Sequence, residues 1–112
     1  MYLFEPENDE GNIEYKCIFN IKSKDRLDRY ITQLNYRINE GQGEAIYLIG
    51  VSDLGQVIGI SDEIIELNID IITYMSKKLK SSISMIIRGN HKGNKFLIIK
   101  IKSDNYQFNL LC

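Results

Sequence analysis

From Ile13 to Phe19 the chain alternates: Ile13, Tyr15, Cys17 and Phe19 share one side, Glu14 and Lys16 the other. A period of two is that of a half-buried strand. The period then changes. Ser23 offers an N-cap, and Leu27, Ile31, Leu34 and Ile38 follow at steps of four, three and four, the stripe of an amphipathic helix. Gly41 is expected to end that helix as a C′ glycine. Ala45 to Val51 is a nearly continuous apolar run, short and rich in β-branched residues, which predicts a strand covered on both faces. Ser52-Asp53-Leu54-Gly55 has turn chemistry, and Gln56 to Ile60 is expected to return as the second arm of a hairpin.

Ser61 starts a second helix, with Asp62 and Glu63 in its first turn. Ile64, Asn68, Ile71, Ile72, Met75 and Leu79 run along one face, with Asn68 interrupting an apolar stripe. Lys77, Lys78 and Lys80 suit the negative end of the macrodipole. Residues 82–88 and 95–102 predict two more strands joined by a loop over residues 89–94. Lys100 and Lys102, flanking Ile101, suggest an edge strand protected by charge. The order β-α-β-β-α-β-β predicts a two-layer α+β domain: a mainly antiparallel five-stranded sheet with two helices on one face. Residues 1–11 are polar, hold the single proline and read as an acidic flexible tail; residues 12–112 form one domain.

Charge sharpens this picture. Residues 1–10 carry four acids and no base, and residues 77–102 carry eight Lys or Arg and no acid. The net charge of −1 therefore hides two opposed segments. A hairpin bearing Arg88, His91, Lys92 and Lys95, extended by Lys100 and Lys102, could follow a phosphate backbone without reading sequence. The competing reading is a solvated edge with lysines that block strand pairing. Lys24, Arg26, Arg29 and Arg37 on the first helix are interleaved with Tyr30 and Tyr36, a combination that can stack on bases. Asp25 and Asp28 lie among them, and a pair such as Asp25–Arg29 would make this an ordinary solvated helix surface.

Other chemistry is sparse. Cys17 and Cys112 make no disulfide framework, and one His with two distant Cys makes no zinc site. No cofactor is expected. His91 has no acid near it in sequence to orient it as a general base. No apolar run approaches the roughly 18 residues of a membrane span, and the start of the chain lacks signal-peptide character. No membrane partner and a cytoplasmic location are expected.

Glu10-Gly-Asn-Ile-Glu-Tyr-Lys16, Ile31-Thr-Gln-Leu-Asn-Tyr-Arg37 and Glu40-Gly-Gln-Gly-Glu-Ala-Ile-Tyr-Leu-Ile-Gly-Val51 resemble the N-terminal domain of the GTP-binding protein 1 and 2 family. Val57-Ile-Gly-Ile60 and Ser103-Asp-Asn-Tyr-Gln-Phe108 extend the likeness over about residues 10–108. These are elongation-factor-like translational GTPases. The resemblance implies a non-catalytic accessory domain in a translation or RNA-surveillance setting. Its partners would be RNA, the ribosome or a GTPase module in cis or in trans. No Gly-x4-Gly-Lys-Ser/Thr phosphate loop occurs, so GTP hydrolysis is not carried over. The apolar end Phe108, Leu110 and Leu111 would meet the partner or the continuing chain.

Glu14-Tyr-Lys, Gly41 with Gly43, Ile49-Gly-Val-Ser-Asp53 and Val57-Ile-Gly are also similar to the Alba-like domain of Schlafen proteins, over about residues 9–60. That likeness implies nucleic-acid binding and, in some members, RNA cleavage by three carboxylates. The matching acids would be Asp9, Glu14 and Asp53, with Ser52 replacing one acid of the pattern. A metal-dependent ribonuclease is thus one alternative function. A protein-interaction module without RNA binding is another.

Overall fold

Both switches from polar to helical periodicity are N-caps. Ser23 Oγ accepts the Arg26 N–H at 3.2 Å, and Ser61 Oγ accepts the Ile64 N–H at 3.3 Å. The computed structural model describes residues 2–104. Its elements run β1 (Ile13–Lys16), α1 (Lys24–Glu40), β2 (Glu44–Ile49), α2 (Asp62–Lys78), β3 (Ser81–His91) and β4 (Asn94–Ser103). The expected docking residues Phe108, Leu110 and Leu111 lie outside the described residues.

The sheet order is β1-β2-β4-β3. Ala45, Tyr47 and Ile49 of β2 and Leu97, Ile99 and Ile101 of β4 point to one face. There they meet Leu34 and Ile38 of α1 and Ile65, Ile72 and Met75 of α2, with Phe19 between the layers. Burying each such side chain contributes about 1.5–3 kcal/mol, so this interface is the main source of stability. Asn68, fully buried on α2, donates to the Ile64 carbonyl at 2.7 Å and accepts the Phe19 N–H at 3.0 Å.

The α+β class and both helices match the expectation, but the sheet does not. It has four strands and is mixed, not five and mainly antiparallel. β1 pairs with β2 in parallel, Glu14 beside Tyr47, because α1 carries the chain back over the sheet. Residues 56–60 form no strand. They make a single bridge, Val51–Val57, since Gly55 and Gly59 have φ of 92° and 95° and turn the chain out of extended geometry.

β4 is not an edge either: it lies between β2 and β3, so the edges are β1 and β3. Lys100 and Lys102 therefore belong to the helix-free face of an interior strand. β1 ends at Lys16, and Phe19 turns under α1, edge-on to Tyr30 at 5.0 Å. In β3 the register slips between Ile83 and Met85, leaving Ser84 as a bulge whose Oγ donates to the Lys100 carbonyl at 3.3 Å.

The acidic N-terminal stretch is bonded along the domain. The Phe4 N–H donates to the Gly55 carbonyl at 3.1 Å, and the Glu7 N–H donates to the Asp53 carbonyl at 2.7 Å. The Phe4 ring meets Phe96 edge-on at 5.5 Å. Phe4 thereby joins a second cluster of Tyr15, Leu48, Val51, Val57 and Phe96, which covers one end of the helix-free face.

Candidate docking and nucleic-acid surfaces

The β3–β4 hairpin closes more tightly than a six-residue loop. His91 pairs with Asn94, leaving only Lys92 and Gly93 between them, at φ of 53° and 86°. Two successive positive φ values are those of a type I′ turn, which matches strand twist. Asn90 Oδ1 accepts the Gly93 N–H at 2.9 Å and locks it.

Half of the expected polyanion-binding cations face acids. Arg88 pairs with Glu66 at 3.0 Å, Lys95 with Asp62 at 2.7 Å, and Lys100 with Glu44 at 3.6 Å. Arg88 and Lys95 reach acids on α2, which runs close beside β3. Such exposed pairs contribute only about 0–1 kcal/mol each, but they cancel much of the field that the charge run suggests. His91, Lys92 and Lys102 have no ion pair among the described residues.

The helix-free face carries a different signal. Alternation and register set two cross-strand rows there: Ile13, Ile46, Lys100 and Met85, then Tyr15, Leu48, Ile98 and Ile87. Leu48 and Tyr15 are buried by the second cluster. Toward β3 the cover stops, and Met85 and Ile87 are 42% and 44% exposed. Phe96 lies over Gly89, where an added Cβ would sit 2.2 Å from the Phe96 ring.

The three expected carboxylates do not form a site. Glu14 faces the helix layer, not solvent: its Oε1 accepts from Arg37 Nε at 2.8 Å, with each side chain 4% exposed. Asp9 contributes its carbonyl, to the Tyr36 hydroxyl at 3.0 Å, and Asp53 contributes its carbonyl to Glu7. Among the described residues no three His, Cys, Asp or Glu side chains are placed to hold a metal ion.

Arg37, expected on an outer helix surface, is the hub of the N-terminal stretch. Its Nη1 donates to the carbonyls of Gly11 at 2.7 Å and Glu10 at 3.2 Å, and its Nη2 to Asn8 at 3.0 Å. Glu7 lies 3.6 Å from the same guanidinium, and its Oε2 accepts the Tyr15 N–H at 2.7 Å. Burial pushes the Glu7 carboxyl up to about 7; the nearby Glu14 and Asp53 add to the rise, while the Tyr15 N–H and Arg37 oppose it. Burial also raises the Tyr47 phenol, whose hydroxyl has no hydrogen-bond partner among the described residues. Arg37 was read as helix surface and Glu7 as tail; their contact escaped sequence reasoning because nothing local marks a pair 30 residues apart. Met85 and Ile87 lie in the strand expected over residues 82–88, but their exposure had no local signal.

No protein-family model matches the chain, and no solved structure matches it. Among curated proteins, human GTP-binding protein 2 is 36% identical over 81 residues, which is 72% of this chain and 14% of that protein. Mouse GTP-binding protein 2 gives the same figures. A mimivirus protein printed as Uncharacterized protein R625 is 29% identical over 109 residues, 92% of this chain and 59% of that one. GTP-binding protein 1 of Xenopus laevis is 27% identical over 103 residues, 88% of this chain and 16% of that protein. The chain thus spans about one seventh of the GTP-binding proteins it matches, and over that stretch it is related in sequence to GTP-binding proteins 1 and 2.

Proposed function

We propose that the chain is a non-catalytic accessory domain, equivalent to the N-terminal domain of GTP-binding proteins 1 and 2, that docks on a GTPase module in cis or in trans. The observation that carries this reading is the bare part of the helix-free face. Met85 and Ile87 stand exposed beside Ile98, with Lys100 between Met85 and Ile46 and Lys102 next along β4 on the same face. A contiguous apolar patch with a polar rim is what a protein partner covers.

The test is capture of the portion of GTP-binding protein 2 outside the aligned stretch. Met85→Asp with Ile87→Lys should abolish capture and leave the circular dichroism spectrum unchanged. Capture at wild-type strength by that variant would remove the sheet face from the proposal.

A second reading, contact with RNA or the ribosome through the hairpin tip, is favoured by one observation. His91 and Lys92 project at the turn with no acid paired to them among the described residues. The double change Arg88→Glu and Lys92→Glu should then weaken retention on RNA at low salt, and an unaltered affinity would exclude the hairpin. The ribonuclease alternative draws no support from the geometry, because Glu14 is committed to Arg37.

A further inference from the structure

A cleft of ≈ 300 Å³ lies between α1 and the β1 edge of the sheet, lined by Lys16, Arg26, Arg29, Tyr30 and Gln33. Positions 26, 29, 30 and 33 share one face of α1. Its next member, Arg37, is the one that Glu14 neutralises. Lys16 closes the cleft from the end of β1, its Nζ 4.8 Å from the Tyr30 ring centre. Tyr30 is itself fixed, since its hydroxyl exchanges hydrogen bonds with the N–H and carbonyl of Asn20, both at 3.3 Å.

Convergence of cations separates this cleft from the ion-paired side of the β3–β4 hairpin. Arg88, Lys95 and Lys100 each find an acid, whereas Lys16, Arg26 and Arg29 find none among the described residues. Asp25, one turn from Arg29, does not take it up, contrary to the intrahelical pair that spacing suggests. Three cations thus converge on one concavity without a counter-charge. The positive end of the α1 dipole adds to them. Two guanidinium forks one helical turn apart suit tetrahedral oxyanions carrying more than one charge. A single carboxylate would leave most of this charge unmatched.

We propose that this cleft binds the phosphate groups of RNA, engaged by Arg26, Arg29 and Lys16. Gln33, also in the cleft lining, supplies a neutral donor. The contact is made to the sugar–phosphate backbone, so it is tolerant of base sequence and sensitive to salt.

Fluorescence anisotropy with a labelled single-stranded 10-mer RNA tests it on the full chain. Arg26→Gln with Arg29→Gln should weaken binding at least about tenfold and lower the salt slope by about 0.7 per lost phosphate contact. Lys77→Gln, in the last turn of α2, should leave affinity within twofold, and circular dichroism should show all variants folded. Displacement of the RNA by 5′-AMP would indicate a seat for a terminal phosphate, and failure to displace would indicate internal phosphodiesters; either supports the site. Unchanged binding by the double variant would overturn it. So would loss of binding in Lys77→Gln, or equal affinity for a Glu-rich peptide. Capture of the GTPase module by the double variant should stay intact, so the cleft and the sheet face fail independently.

Discussion

Arg37 donates through Nε to Glu14 Oε1 at 2.8 Å, with both side chains withdrawn from water. The remaining guanidinium hydrogens go to main-chain carbonyls of residues 8–11. One ion pair thus joins α1, β1 and the N-terminal stretch. Removing one partner of such a pair strands the other charge and costs about 3–5 kcal/mol. Glu14→Gln should therefore lower the free energy of unfolding by about 3 kcal/mol in urea titration. Glu14→Leu combined with Arg37→Met should cost clearly less than the sum of the single changes.

The Glu7 carboxyl has a pH consequence. Its folded value of about 7 lies above its ordinary 4.5, so the fold prefers the protonated form. That preference contributes fully below about pH 4.5 and is lost as pH rises through about 7. Melting temperature should fall between pH 5 and pH 8, and the N-terminal stretch should become more open to protease over the same range. Glu7→Gln should flatten both profiles; an unchanged slope would place the titration elsewhere.

Gly55 makes the attachment of Phe4 separable from the core. Its φ is 92°, and an added Cβ would fall 2.0 Å from the Phe4 carbonyl oxygen. Gly55→Ala should detach residues 2–7, seen as faster amide exchange at Phe4 and Glu7, while Leu34, Ile72 and Ile99 keep their protection. Exchange unaltered at Phe4 would contradict the geometry.

Asn68 bridges α2 to the segment after β1 through the Phe19 N–H. Asn68→Leu keeps the volume but leaves that buried donor unpaired, at a cost of about 1–3 kcal/mol. Thermal melts should show the loss, and Asn68→Asp, which keeps the acceptor, should recover part of it.

How much of this was legible depends on the range of the interaction. The stripe Leu27, Ile31, Leu34 and Ile38, the caps Ser23 and Ser61, and the run from Ala45 are local patterns, and each marks the element it should. The parallel β1–β2 pair was missed because strand neighbours across a helix leave no local trace. Gln56–Ile60 looked extended, but Gly55 and Gly59 turn it, and no composition rule prices a positive φ from outside. Glu14 read as the polar side of an alternating strand. It faces inward because Arg37 waits there, and a cation one step before Ile38 reads as helix surface until both partners are seen together. The cation cluster at 88–102 was legible as charge, but the acids of α2 that answer it were not.

Ser84 adds one residue to β3 without a partner on β4. Because it is surplus, its loss would leave Ile83 inward and Met85 outward, as now. What would change is the outline of the sheet: a kinked margin would become a straight row of unanswered amides and carbonyls running past Met85 and Ile87. Such a margin invites a second molecule to zip alongside. Deleting this single serine should therefore favour edge-to-edge association of copies, read as a concentration-dependent rise in scattering mass.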